Sequence, residues 1–323
     1  MPTALILGAT GYLGLPLAKS LLRSGNYTVY GLARTPAKAK TLVQNEVVPV
    51  IGDVNDPSSF THLISSVPID VVIDATSAYE SATGLLSAIT AASKSRMATL
   101  AKEGSSVPKL GFIYISGSWV HGNHTEPVSD TVPPGTSLAK AKPATAVGWR
   151  PAHEQSILAA RDVLDVAIVR PSQMYGGTSW VWNTYFGPLL AAGKSGSTET
   201  IQVPADSTAR PSIVHVDDVV SGVHGATDRI HGLLGSWPVF DLVGETVLLN
   251  DIMDGAKRSL GVKAALEYAG TQGNPFLEAI GLTTNNQSTR AAIVLGWQAK
   301  RQSFVQYIDT YVKAWAASQE EPK

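Results

Sequence analysis

With 323 residues, 44% of them apolar and 16% charged, the chain has the balance of a soluble globular protein, long enough for one large domain or two coupled ones. A formal net charge of −1 supplies no field for nucleic acid or an anionic membrane, so neither is an expected partner. The absence of cysteine excludes disulfides, a thiol nucleophile and thiolate metal sites, and it suits a reducing compartment.

The opening apolar run, residues 4–7, follows no basic stretch and is too short for a signal peptide, so it reads as a core strand. No apolar stretch approaches the roughly 20 residues of a membrane span. The expectation is a soluble, cytoplasmic protein. Gly8, Gly11 and Gly14 follow the strand at a spacing of three, and residues 15–22 then take up helical periodicity. A strand, a glycine turn and a helix N-terminus together make an anion site: the bare backbone lets a pyrophosphate approach, and the first helical amides point at it. A second strand over residues 28–32 ends at Arg34, with Lys38 and Lys40 downstream. At this point an acidic residue would bind a ribose 2′-hydroxyl, whereas an arginine accommodates a 2′-phosphate. The acid is absent, so NADP is favoured and NAD is less favoured. The two lysines also fit a solvated helix start.

Strands over residues 46–51 and 69–73 close on Asp53 with Val54 and on Ala75 with Thr76. A long helix over 83–102 and a fifth strand over 110–115 follow, leading to Ser116 and Ser118. Five alternations of strand and helix argue for an α/β fold with a doubly wound parallel sheet, whose ligands bind beyond the carboxyl ends of the strands. That gathers Asp53, Ala75, Thr76, Ser116 and Ser118 around one crevice with the glycine turn. Residues 124–148 read as a loop over it, 150–161 as a helix and 166–169 as a sixth strand leading to Pro171 and Tyr175. The alternation then stops. Residues 179–189 are aromatic-rich, 193–198 form a polar turn, 212–216 and 239–243 read as strands, and 248–260, 275–280 and 303–317 as helices. The expected organisation is a Rossmann domain of residues 1–177 plus about 212–245. A smaller, mostly helical substrate lobe takes about 178–211 and 246–323.

With these motifs in place, the chain resembles the extended and atypical short-chain dehydrogenase/reductase superfamily, in its epimerase/dehydratase-like branch. Gly8-Ala-Thr-Gly-Tyr-Leu-Gly14 looks like the cofactor glycine motif, and the resemblance implies contacts from Gly8, Thr10, Gly11, Tyr12, Leu13 and Gly14. Gly52-Asp53 looks like the adenine contact, Ile115-Ser-Gly-Ser-Trp-Val-His-Gly122 like the catalytic serine strand, and Arg170-Pro-Ser-Gln-Met-Tyr-Gly176 like the nicotinamide-side motif. Val214-His-Val-Asp-Asp218 looks like the segment returning from the substrate lobe. The departure lies at the reaction centre. The superfamily uses a tyrosine four residues before a lysine, the lysine lowering the phenol's pKa for proton exchange. Here no tyrosine stands between Tyr114 and Tyr175, and the pair falls on Ala146 and Arg150 or on Trp149 and His153. His121 stands where the superfamily usually has a tyrosine before glycine.

Ser118 is the candidate for polarising a substrate carbonyl, with Ser116 behind it; strand-end hydroxyls also satisfy turn amides. His121 and then His153 are the candidate proton donors, because an imidazole titrates near 6.5. Arg150 and Glu154 are four apart and can pair on the helix surface, or a crevice-facing Arg150 can anchor an anionic or carbonyl substrate. Trp119, Trp180, Trp182 and Tyr185 are the candidate substrate contacts, an aromatic set that equally suits lobe packing. Asp217 and Asp218 read as a helix cap or tether, with no metal site expected. The function expected is an NADP(H)-dependent, epimerase/dehydratase-like oxidoreductase acting on a small carbonyl or alcohol. The alternatives are an NADP-binding regulator or sensor that does not turn over, and an isomerase or cyclase using the pocket as a scaffold.

Overall fold

The computed structural model describes residues 1–106, 108–301 and 303–320. Its central sheet consists of β1 (Thr3–Leu7), β2 (Thr28–Ala33), β3 (Val48–Ile51), β4 (Val71–Asp74), β5 (Leu110–Ile115), β6 (Leu164–Pro171) and β7 (Val239–Leu242). All are parallel, in the order β7-β6-β5-β4-β1-β2-β3. The order reverses between β1 and β4, which opens a crevice at their carboxyl ends. The helices threaded around the sheet are α1 (Gly14–Arg23), α2 (Pro36–Val43), α3 (Ser58–Ser66), α4 (Ala82–Lys102) and α5 (Arg150–Ala159). Later in the chain come α6 (Asn183–Ser195), α7 (Val216–Asp228), α8 (Leu249–Ser259), α9 (Pro275–Ile280) and α10 (Ile308–Ser318).

Strand alternation sorts the core into two layers. Ala4 and Ile6 pack with Leu17 and Leu21 of α1 and Val219 and Val223 of α7. Leu5 and Leu7 pack on the other face with Phe60 of α3, Leu85 of α4 and Ile157 of α5. The expected doubly wound α/β fold is therefore present, and its first five strands lie where the sequence places them to within a residue or two. The bounds of four helices were not drawn from the sequence: α2, which opens on Pro36 and is capped by Thr35, α3, α6, which runs through the aromatic segment into the expected polar turn at 193–198, and α7. The expected strand at 212–216 exists as Ser212–His215 but lies outside the central sheet. It pairs parallel with Gln173–Tyr175 and antiparallel with Glu245–Thr246. The strand expected at 239–243 instead forms β7 at the sheet edge.

The second core belongs to the lobe. Trp182, Tyr185 and Phe186 of the aromatic-rich segment meet Phe304 and Trp315 there, with the Trp182 and Phe186 rings stacked 5.3 Å apart. Ala291, Leu295 and Trp297 fall within the stretch expected to form the lobe, yet they pack into the layer beside α7. Trp297 Nε1 also donates to the Asp218 carbonyl at 2.8 Å.

A buried charge cluster locks the domain's later elements together. Arg170, on β6, donates through Nε and Nη2 to the two carboxylate oxygens of Glu154 on α5, at 3.0 and 2.5 Å. Its Nη1 lies 3.5 Å from Asp241 of β7. His121, in the 3-10 turn after β5, donates from Nε2 to the other oxygen of Asp241 at 2.7 Å. All four side chains are at most 1% exposed. Burial pushes the Asp241 carboxyl up, but His121 and Arg170 outweigh it and hold the group below the usual carboxylate range. Asp130 extends the cluster by accepting from the backbone amides of Arg290, Ala291 and Asp241. Removing one member of such a cluster strands a charge in low dielectric, at a cost of about 3–5 kcal/mol. Arg170→Met should therefore lower unfolding free energy in urea at pH 7 by about that amount. In wild type the Asp241 contribution should be intact above the ordinary aspartate pKa and fade as pH falls through its depressed value. A loss below about 1 kcal/mol in Arg170→Met would show that the cluster is dispensable to the fold.

Candidate functional site

The glycine turn is shaped by contacts that a side chain would destroy. Gly8 has φ +78°, and a Cβ on it would come within 2.7 Å of the Ala75 carbonyl oxygen at the end of β4. A Cβ on Gly14 would overlap the Gly8 carbonyl, so the start of α1 sits directly on the turn. The Gly11 amide donates to the Gly8 carbonyl at 2.9 Å, and Gly11 itself is exposed. No acidic residue stands in the first turn of α1, which leaves its positive dipole end unopposed.

The turn borders a cleft of about 500 Å³ whose lining includes Gly8, Thr10, Gly11, Val54, Ala75 and Thr76. The lining also includes Arg34 and Lys38, both exposed. Among the described residues neither makes an ion pair. Lys40, exposed on α2, is not part of the lining. Asp53 sits beside Val54 at the rim, half-buried, and its carboxylate accepts from the Asn55 amide at 3.0 Å. Two members of the glycine motif turn away. Leu13 is buried in the core beneath the turn, and the Tyr12 hydroxyl donates to the Tyr175 and Gly176 carbonyls at 3.0 and 2.8 Å. Their side chains are therefore not cofactor contacts: Leu13 roofs the core, and Tyr12 staples the turn to the strand across the crevice. The described residues fit a nicotinamide dinucleotide, because the glycine turn gives the cleft a bare-backbone wall and cationic side chains line the same cleft.

The reaction side lies at the carboxyl ends of β5 and β6. Ser118 is buried in the 3-10 turn Ser118–His121, and among the described residues its hydroxyl has no partner. Ser116 Oγ is buried and likewise without one. His121 does not face this space, because its Nε2 is committed to Asp241 within the charge cluster. That removes the first candidate proton donor. His153 is buried on α5 with Nδ1 unpartnered, its ring 4.9 Å from Tyr114 and 5.7 Å from Trp149. Burial holds its pKa below the ordinary histidine value, and the Arg150 charge adds to that against the pull of Glu154. The expected Arg150–Glu154 surface pair does not form: both residues are buried, and Glu154 is taken by Arg170. Pro171 closes β6, with its carbonyl 3.8 Å from the Cβ position of Gly117. Gln173, not singled out from the sequence, is buried with both amide atoms unpartnered. Its position in the Arg170–Gly176 motif was the available signal.

On the lobe side the aromatic residues divide. Trp182 and Tyr185 are 1% exposed and belong to the lobe core, so they are not substrate contacts. The Trp182 Nε1 donates inward to the Met174 carbonyl at 3.0 Å. Tyr175 is also core: it packs 4.4 Å from Phe304, and only its backbone faces Tyr12. Trp180 is 53% exposed and stacks on Phe276 at 5.7 Å, with Trp119 edge-on to the same ring at 6.3 Å. These three form an aromatic wall joined to the serine turn through Trp119. Asp217 and Asp218 tether the return segment, Asp217 to the Arg301 guanidinium and Asp218 to the Lys300 and Arg301 amides. Among the described residues no three His, Asp or Glu side chains gather as a metal site, and no helix is long and apolar enough to cross a membrane.

Comparison with known proteins agrees with this geometry. The structure is similar to dTDP-glucose 4,6-dehydratase from Bacillus anthracis in complex with NAD (15% identity, TM-score 0.71, covering 99% of this chain and 98% of that one). It is similar to UDP-glucuronic acid 4-epimerase from Bacillus cereus in complex with UDP-glucuronic acid and NAD (17%, TM-score 0.69, 98% of each chain). It also resembles UDP-glucose 4-epimerase from Bifidobacterium longum in complex with NAD+ and UDP (16%, TM-score 0.70, 98% of each chain). At such identities the likeness is one of fold. No curated protein sequence matches the chain. The sequence profile of the NAD dependent epimerase/dehydratase family matches residues 4–233, and the chain belongs to that family.

Proposed function

We propose that this protein is an NADP(H)-dependent oxidoreductase of the epimerase/dehydratase type, acting on a small carbonyl or alcohol substrate without a tyrosine–lysine relay. The observation that carries the reading is the cleft, whose lining joins the glycine turn to Arg34 and Lys38, with no acid at the end of β2 to read a free 2′-hydroxyl. The similar structures hold NAD, and one holds UDP-glucuronic acid. The dinucleotide carries over to this chain on the strength of the cradle. Trp119, Phe276 and Trp180 offer flat apolar faces beside the serine turn, which suit a flat carbonyl substrate and equally the base of a sugar nucleotide.

When bound, the dinucleotide supplies or accepts hydride at the substrate carbon. The protein's own part is to hold and polarise. Ser118, whose hydroxyl has no competing partner, donates to the carbonyl oxygen, and the buried Ser116 hydroxyl backs it at the end of β5. The proton passes through His153. Its depressed pKa leaves the imidazole neutral at pH 7, ready to accept a proton during alcohol oxidation and needing lower pH to donate one.

Calorimetric titration of NADP+ and NAD+ tests the cofactor assignment. NADP+ should bind the wild type more tightly, and Arg34→Ala should cost about 1.5–3 kcal/mol for NADP+ alone. Gly11→Val should abolish binding of both while circular dichroism stays native, because Gly11 lines the cleft and is exposed. Equal wild-type affinities would overturn the NADP preference, and tight binding by Gly11→Val would overturn the site.

The proton route has its own signature. With a carbonyl found by screening NADPH oxidation, kcat/KM for reduction should fall as pH rises through a value below 6.5, and oxidation of the product alcohol should rise through the same value. His153→Gln should erase the step and lower the rate by roughly 10²-fold. A mutant with wild-type rate and profile would rule His153 out. If NADPH binds and no carbonyl in a broad panel is reduced, a regulator that binds nucleotide without turnover becomes the better account.

A further inference from the structure

Arg150 is a buried cation that the protein does not neutralise. It is 6% exposed, its Nε has no hydrogen-bond partner, and it makes no ion pair among the described residues. Arg170 provides the contrast, 1% exposed and gripped by two carboxylates. Glu154, one helical turn from Arg150, is the acid that could have paired with it, and both its oxygens are spent on Arg170. A desolvated charge without a counter-charge is expensive, and it persists where a ligand brings the counter-charge in.

The guanidinium's neighbours say where it is aimed. Its Nη1 would stand 2.8 Å from a Cβ on Gly117, so it reaches the bare backbone between Ser116 and Ser118. Its Cζ lies 5.0 Å from the ring of Tyr79, which lines the dinucleotide cleft, and 5.7 Å from the ring of Trp149. Both rings are within cation–π range, which steadies the group without supplying negative charge. Arg150 thus sits where the cleft meets the serine turn. The dinucleotide's own anionic groups are provided for elsewhere: the pyrophosphate at the glycine cradle, a 2′-phosphate at Arg34 and Lys38.

We propose that Arg150 receives a carboxylate of the substrate beside Ser118, so that the protein acts on oxo or hydroxy acids in preference to neutral carbonyls. The proposal rests on the oxidoreductase reading above and narrows its substrate class. The planar fork of a guanidinium matches the two oxygens of a carboxylate, and Ser118 is left to the adjacent carbonyl. Being permanently charged, Arg150 cannot exchange the proton, so it positions the substrate while His153 moves the proton. Glycine at 117 follows from the same geometry, since any side chain would stand in the path of Nη1. A diphosphate presents similar anionic oxygens, and the test separates the two sources.

In the activity arm, the full chain with NADPH is offered 2-oxo and 3-oxo acids, each beside its methyl ester. Wild type should favour the acid by about 10²-fold in kcat/KM, and in Arg150→Met the ratio of acid to ester should fall to near one. Arg150→Lys should recover part of it. Esters reduced as fast as acids by wild type would overturn the proposal and leave the oxidoreductase reading standing. In the binding arm, protein loaded with NADP+ is titrated with propanoate, benzoate and oxamate, with propanamide and benzamide as neutral controls, and with UDP. Tighter binding of a carboxylate than of its amide, lost in Arg150→Met with NADP+ affinity unchanged, supports the proposal even if nothing is reduced; in that case the oxidoreductase reading is what falls. UDP binding through Arg150 without any carboxylate binding, or a defect in Arg150→Met confined to NADP+ affinity, would overturn it. The comparison of acid with ester and amide uses wild type alone, so it holds even if the variants fold poorly.

Discussion

The structure turns on one placement of charge, the guanidinium of Arg170 between Glu154 and Asp241, with His121 closing the far side of Asp241. These four side chains come from the turn after β5, from α5, from β6 and from β7. Buried ion clusters earn little net stability, because the desolvation of each charge offsets most of the attraction. What they do impose is geometry, since no member can leave without stranding the others. Here that geometry is the frame of the reaction side: it sets the height of α5 against β6 and orients the turn that carries Ser118 and Trp119.

The cluster also decides what remains unpaired. By taking Glu154, it leaves Arg150 without an acid, and by taking His121 it removes the imidazole nearest to Ser118 in sequence. Among the described residues the buried polar atoms left without a partner are Ser116 Oγ, Arg150 Nε, His153 Nδ1, both amide atoms of Gln173, Tyr185 Oη, Asn286 Nδ2 and Arg290 Nε. Unpartnered buried polar atoms are rare in folded proteins because each forfeits its hydration. Ser116 follows β5, Arg150 and His153 lie on α5, and Gln173 lies on the strand after β6, whereas Tyr185, Asn286 and Arg290 stand apart from them.

Local features were legible in the sequence, and features closed over long range were not. The apolar run at residues 4–7 and the three glycines that follow announce a strand, a turn and an anion site, because strand, turn and helix start are contiguous. The parallel, doubly wound character of the sheet follows from alternation. The rest depended on partners far away in the chain. Arg150 and Glu154 have helical spacing for a surface pair, yet Glu154 bonds a residue sixteen positions on, and His121 bonds one 120 positions away. Tyr12 sits in the glycine motif, but its hydroxyl reaches carbonyls more than 160 residues later. Trp180 and Trp182 stand two apart in one aromatic segment; one is exposed and the other walled into the lobe core. Composition names such a segment as aromatic and cannot say which rings face water.

The departure from the superfamily's usual reaction centre then has a physical reading. A tyrosine beside a lysine combines two tasks in one place: the ammonium stabilises a phenolate, and the phenol moves the proton. An arginine at that helix can stabilise negative charge more strongly in a paired geometry, but it holds its protons at any pH a protein survives. Charge stabilisation and proton transfer must therefore be divided between residues. Arg150 and His153 are three apart on α5, a spacing that puts them on one face of the helix, and the positive charge of one lowers the pKa of the other. That coupling disfavours a protonated imidazole while Arg150 stands uncompensated. An anion seated on the guanidinium relieves it, raising the histidine's readiness to carry a proton when substrate is in place. On the proposed reading, binding and proton transfer are linked electrostatically, with no moving part required.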